Sequence, residues 1–97
     1  MTAEKMVVAD EILRQLGGGR FVAMTGSRNF IGSDNSLSFK VGRNAHRIGY
    51  VSITLNAMDT YDMAFPGARG KVTEIGGVYN DQLQAVFTKA TGLYTSL

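Results

Sequence analysis

YVSITLNAMDTYDMAF, residues Tyr50–Phe65, alternates, breaks and alternates again. Val51, Ile53 and Leu55 are interleaved with Ser52, Thr54 and Asn56. After a polar break at Asn56–Asp59, Tyr61, Met63 and Phe65 are interleaved with Thr60, Asp62 and Ala64. A period of two with β-branched and aromatic residues is that of strands with one buried face. Asn and Asp at the ends of the break suit a tight connection. This hairpin is expected to be the centre of a small sheet, with Ser52, Thr54, Thr60 and Asp62 on the side away from the core.

Upstream, Leu37, Phe39 and Val41 alternate with Ser38 and Lys40, which predicts another strand. Gly42–Gly49 (GRNAHRIG) links it to the hairpin and holds Arg43, His46 and Arg47 without an acid. Gly26–Ser36 (GSRNFIGSDNS) has the Gly, Asn, Asp and Ser content of a loop. Within it, Phe30 and Ile31 are expected either to anchor the loop to the core or to form a protein-binding surface. Arg20–Thr25 (RFVAMT) reads as a short first strand. Before it, Met6, Ala9, Ile12, Leu13 and Leu16 recur at helical spacing, predicting an amphipathic helix over Thr2–Leu16 with Thr2 as N-cap and Gly17 as its stop. The run Gly17–Gly19 follows a helix and lacks the Gly-Lys-Ser/Thr of a phosphate loop, so it reads as a connector.

Downstream of the hairpin, Pro66-Gly67 marks a turn. Lys71–Ile75 predicts a last strand ended by Gly76-Gly77. Val78, Tyr79, Leu83, Val86, Phe87 and Ala90 then recur at helical spacing up to Gly92, predicting a second amphipathic helix. Leu93 and Tyr94 are expected to fold back over it. Closely spaced consecutive strands favour an antiparallel meander over a parallel sheet. The expectation is one α+β domain over residues 1–97: a meander of four to five strands, with an N-terminal and a C-terminal helix on one face.

An apolar fraction of 44% against 19% charged residues excludes a disordered chain. With no Cys there is no disulfide and no thiolate-ligated metal. Glu4, Asp10 and Glu11 interrupt the N-terminal apolar residues, unlike a signal peptide, and no apolar run reaches the ~20 residues of a membrane span. A cytoplasmic protein is therefore expected. The net charge is only +2, but it is unevenly spread: residues 20–58 carry Arg20, Arg28, Lys40, Arg43 and Arg47 against a single acid, Asp34. Such a segment attracts anionic partners.

Candidate chemistry is sparse. His46 is the one histidine, so a metal would have to be completed by carboxylates, and none is near it in sequence. No nucleophile elbow accompanies it. Asp59 and Asp62 are the closest carboxylate pair in the strand region, and turn chemistry and solvent exposure account for both. No catalytic, metal or cofactor residue is assigned. Nucleic-acid readers lay stacking aromatics and basic side chains on an exposed antiparallel sheet. Here the residues for that role are Arg28, Lys40, Arg43, His46, Arg47 and Tyr50, the tyrosine sharing the parity of Ser52 and Thr54.

Three stretches, LGGGRFVAMTGSRNF (Leu16–Phe30), YVSITLNAMDTYDMAF (Tyr50–Phe65) and VYNDQLQAVFTKATGLYTSL (Val78–Leu97), resemble small proteins encoded in bacteriophages, prophages and related mobile elements. The resemblance carries no activity and no functional residue. It implies a bacterial cytoplasm and an accessory role, and small phage proteins of this sort commonly act by binding; a non-enzymatic role is expected because no constellation of nucleophile, base and orienting group is visible. The leading expectation is protein–protein interaction, by self-association or capture of a host factor such as a defence component. Nucleic-acid binding is the alternative.

Overall fold

A computed structural model describes residues 7–44, 46–67 and 70–95. The alternating segments form strands that pair strictly with their neighbours in sequence: β1 (Arg28–Gly32), β2 (Ser36–Lys40), β3 (Tyr50–Leu55), β4 (Tyr61–Pro66) and β5 (Val72–Val78), in the order β1-β2-β3-β4-β5. Every pairing is antiparallel. Three helices, α1 (Val7–Leu16), α2 (Gly18–Thr25) and α3 (Leu83–Thr91), cover one face. The fold is α+β, with a five-stranded antiparallel meander under N- and C-terminal helices. The expected helix start, including Thr2 and Met6, lies outside the described residues.

Register decides what each face carries. Leu37 is opposite Ile53, Phe39 opposite Val51, and Ile53 opposite Met63. These side chains, with Tyr61 and Phe65, are buried beneath Ile12, Leu16, Phe21, Leu83 and Phe87. The Phe21 ring stands edge-on to Phe39 and Phe87, with centroids 5.6 and 5.0 Å away. Such pairs add about 0.5–1.5 kcal/mol beyond the area they bury. Among the described residues, no helix lies on the other face.

Four sequence expectations are corrected. Arg20–Thr25 is helix, not strand: α2 begins at Gly18, so only Gly17 serves as the stop and hinge, with φ 125°. A short apolar run has no period of its own, and burial of Phe21 and Thr25, one helical turn apart, settles the matter. Thr25 Oγ1 donates to the Phe21 carbonyl at 2.7 Å, and left-handed Gly26 caps the helix through Val22 O. Second, Gly26–Ser36 contains strand β1. Asn29, at φ 58°, coincides with a register irregularity between Arg28 and Ile31, the signature of a bulge. Its turn-like composition hides a strand with one real anchor, Phe30, whose ring is 5.2 Å from Phe39.

Third, Gly76 and Gly77 do not end the last strand. They lie inside β5, where left-handed Gly77 accompanies a second register irregularity. Val78, expected in the helix, is the buried end of that strand, opposite Tyr61. Fourth, Tyr79 is exposed and precedes a single 3-10 turn, Asn80–Gln82, from which α3 continues. Gly92 caps α3 in the left-handed conformation, as expected. Leu93 packs on the core whereas Tyr94 is exposed. Among the described residues, no helix is long and apolar enough to cross a membrane.

Candidate functional site

An antiparallel meander sends alternate connections to opposite ends of its sheet, and here the two ends differ in charge. At one end lie the start of β1, the end of β2, the connection 41–49, the start of β3, and the turn 67–71 before β5. That end carries Arg28, Lys40, Arg43, His46, Arg47 and Lys71, and no Asp or Glu falls within residues 26–31, 40–50 or 66–73. The opposite end has the turns at Ser33–Asn35 and Asn56–Thr60. It carries Asp34, Asp59 and Asp62, and no Lys or Arg falls within 32–39, 51–65 or 74–88. Among the described residues the only ion pair joins Glu11 to Arg14 on α1, so the cations of the basic end are not neutralised by described acids.

The basic end reaches the uncovered face through register. Arg28 is opposite Lys40, and Lys40 opposite Tyr50, so these three residues form a row across β1, β2 and β3. Directly paired residues point to the same face. The next row holds Ile31, Ser38, Ser52, Ala64 and Glu74; beyond it Ser36, Thr54 and Asp62 lead to the acidic end. Arg28 and Lys40 are exposed and Tyr50 is half-buried. Ser52, Thr54, Asp62, Ala64, Glu74 and Gly76 line a shallow depression of about 500 Å³. Asp62 therefore shares a recess with Glu74, not with Asp59, and it accepts a hydrogen bond from Asn56 Nδ2 at 3.0 Å.

The connection 41–49 is held in place. Gly42 N donates to Thr25 O at 2.9 Å, and a Cβ on Gly42 would lie 2.8 Å from that carbonyl, so this close approach requires glycine. Asn44 fastens the rest: its Nδ2 donates to Gly42 O (2.9 Å) and Ile48 O (2.7 Å), and its Oδ1 accepts from Ile48 N at 2.9 Å. Buried Ile48 bridges to Gly67, which ties the connection to the turn before β5. Between them is a cleft of about 350 Å³ lined by His46, Arg47, Ile48, Gly67, Lys71, Thr73 and Ala90. Thr73 is opposite Phe65, so the cleft opens on the helix-covered side.

The two residues expected to bind protein part company: Phe30 is half-buried against Phe39, while Ile31 stands on the open face with 62% of its surface exposed. All six residues named for nucleic acid lie at one end, but not in one group. Arg28, Lys40 and Tyr50 are on the open face, His46 and Arg47 line the cleft, and Arg43 is exposed on the connection outside both. Lys71 and Thr73 were not singled out in the sequence, because only strand pairing brings them beside Arg47.

Elsewhere, the Arg14 and Gln15 side chains hydrogen-bond the half-buried Glu11 carboxylate and lower its pKa. Burial pushes the Tyr61 hydroxyl above its usual 10.0, helped by the negative charges of Glu11 and Asp59. Compared with known proteins, the chain matches no family model, no curated relative and no solved structure, and nothing in these comparisons links it to phage or mobile elements.

Proposed function

We propose that the protein is a non-enzymatic nucleic-acid-binding module that holds a single strand across the basic end of its sheet. The observation that carries this reading is the row Arg28–Lys40–Tyr50 on the face that no described helix covers. Two cations contact backbone phosphates and the tyrosine ring stacks on a base. Arg43 and the cleft residues extend the positive field around the same end and steer a polyanion towards it. The acidic far end repels the strand and limits how much of it the face covers.

An anisotropy titration with a labelled single-stranded oligonucleotide, from low to moderate salt, tests this. Affinity should fall with salt at a slope of about −0.7 per phosphate contacted. Arg28→Ala/Lys40→Ala should reduce the slope by about 1.4, the value for two contacts. Absence of binding at low salt, or a slope unchanged in the double variant, contradicts the proposal.

A second reading is protein–protein interaction, and exposed Ile31 on edge strand β1 favours it. An unpaired strand edge with an apolar side chain beside it can add a strand from a second copy or a host protein. Light scattering of the protein and of Ile31→Lys tests self-association: a dimer that the substitution dissociates supports it, and a monomer removes it. An accessory role in a phage or mobile element, within a bacterial cytoplasm, accommodates either reading and remains part of the proposal.

A further inference from the structure

The cleft between the 41–49 connection and the 67–71 turn is separate from the row on the open face, and its chemistry is more specific. Its polar lining includes an imidazole, a guanidinium, an ammonium and a hydroxyl, from His46, Arg47, Lys71 and Thr73, and among the described residues no carboxylate lines it. Its walls are fixed from outside. Asn44 clamps Ile48 from both backbone sides, Arg47 N donates to Asn44 O at 3.3 Å, and Gly67 N donates to Lys71 O at 2.7 Å. Arg47 itself has φ 57°, a left-handed conformation unfavourable for arginine, held between the clamp and the buried side chain of Ile48.

We infer that this cleft binds a phosphomonoester. A guanidinium and an ammonium beside an imidazole match a dianion better than the single charge of a phosphodiester or a carboxylate. The arginine fork suits two phosphate oxygens, the lysine supplies a mobile point charge, and the Thr73 hydroxyl donates to a further oxygen. At about 350 Å³ the cleft is at the small end of ligand sites, which run from roughly 300 to 1,000 Å³. The phosphomonoester comes from the terminal phosphate of a nucleic-acid strand or from a free mononucleotide. The inference does not depend on strand binding by the open face.

The test uses one oligonucleotide with a 5′-phosphate or a 5′-hydroxyl, a nucleoside 5′-monophosphate and inorganic phosphate, each titrated by calorimetry into the wild-type protein, Arg47→Gly and Lys71→Ala. Arg47→Gly removes the guanidinium where glycine relieves the backbone, so loss of binding is not loss of fold; circular dichroism verifies this for both variants. A 5′-phosphate that tightens strand binding at least fivefold, with the gain lost in both variants, establishes a strand end as the source. Mononucleotide binding lost in both variants, with no gain from the 5′-phosphate, establishes the free source. No phosphate-dependent binding in any arm, or a dependence that survives both substitutions, overturns the inference. The 5′-hydroxyl strand carries no phosphomonoester, so its binding tests the strand proposal and the added effect of the 5′-phosphate tests the cleft, and the two proposals fail separately.

Discussion

At its acidic end the sheet reverses through two short turns, 33–35 and 56–60; at its basic end one connection, 41–49, is longer and carries Arg43, His46 and Arg47. The Asn56–Thr60 turn is closed by one side chain: Asn56 Oδ1 accepts from Met58 N and Thr60 N, while its Nδ2 donates to Thr60 Oγ1 and Asp62 Oδ1. The other turn is closed by Ser33 and Ser36, through backbone and hydroxyls. At the basic end Asn44 performs the same clamping, but the segment it clamps presents Arg43, His46 and Arg47 to solvent. Equal local order thus serves chain reversal at one end and display at the other. The difference lies in which groups are left over once the backbone is satisfied.

Substitutions can sharpen or break that contrast. The largest effect is expected from Phe21→Ala, which removes the ring between Phe39 and Phe87 and should cost about 3–5 kcal/mol in denaturant unfolding. Because the end of α2 accepts the Gly42 hydrogen bond, hydrogen exchange should accelerate in 41–49 more than in 56–60. Equal acceleration at both ends would break the link between α2 and the basic end.

Next come the two clamps. Asn44→Ala and Asn56→Ala each remove several hydrogen bonds at part-buried sites and should each cost about 1–3 kcal/mol. Only Asn44→Ala should also weaken oligonucleotide binding in the anisotropy titration. A comparable loss of binding with Asn56→Ala would erase the functional distinction between the ends.

The smallest effect concerns pH. Burial raises the folded-state pKa of Tyr61 above 10.0, so the neutral phenol contributes stability that is fully present below 10.0 and is lost as pH rises through the folded value. Tyr61→Phe should leave stability at neutral pH within about 1 kcal/mol and flatten its decline above pH 10.0. An unchanged alkaline decline would assign it to other groups.

The covered face was legible in the sequence because its cause is local. Alternation at Val51, Ile53, Tyr61, Met63 and Phe65 names the buried side of two strands, and the Asn56–Asp59 break names their turn. Helix α2 and strand β1 were misread because their cause is tertiary. Phe21 is helical where it can meet Phe39 and Phe87, and β1 is a strand because β2 offers an edge to a glycine- and asparagine-rich segment. The candidate site was half legible. Arg43, His46 and Arg47 are adjacent in the chain, but Arg28 and Lys71 join them only once the number of strands is known. A four-strand meander beginning at Ser36 has no Arg28 row.

The most direct test of the basic end is a ¹⁵N–¹H correlation spectrum of the protein titrated with a short 5′-hydroxyl single-stranded oligonucleotide at low salt. Shift changes should gather at Arg28, Lys40, Tyr50 and the connection 41–49, and leave Ser33–Asn35 and Asn56–Thr60 unmoved. No change, or changes centred on those two turns, would contradict it.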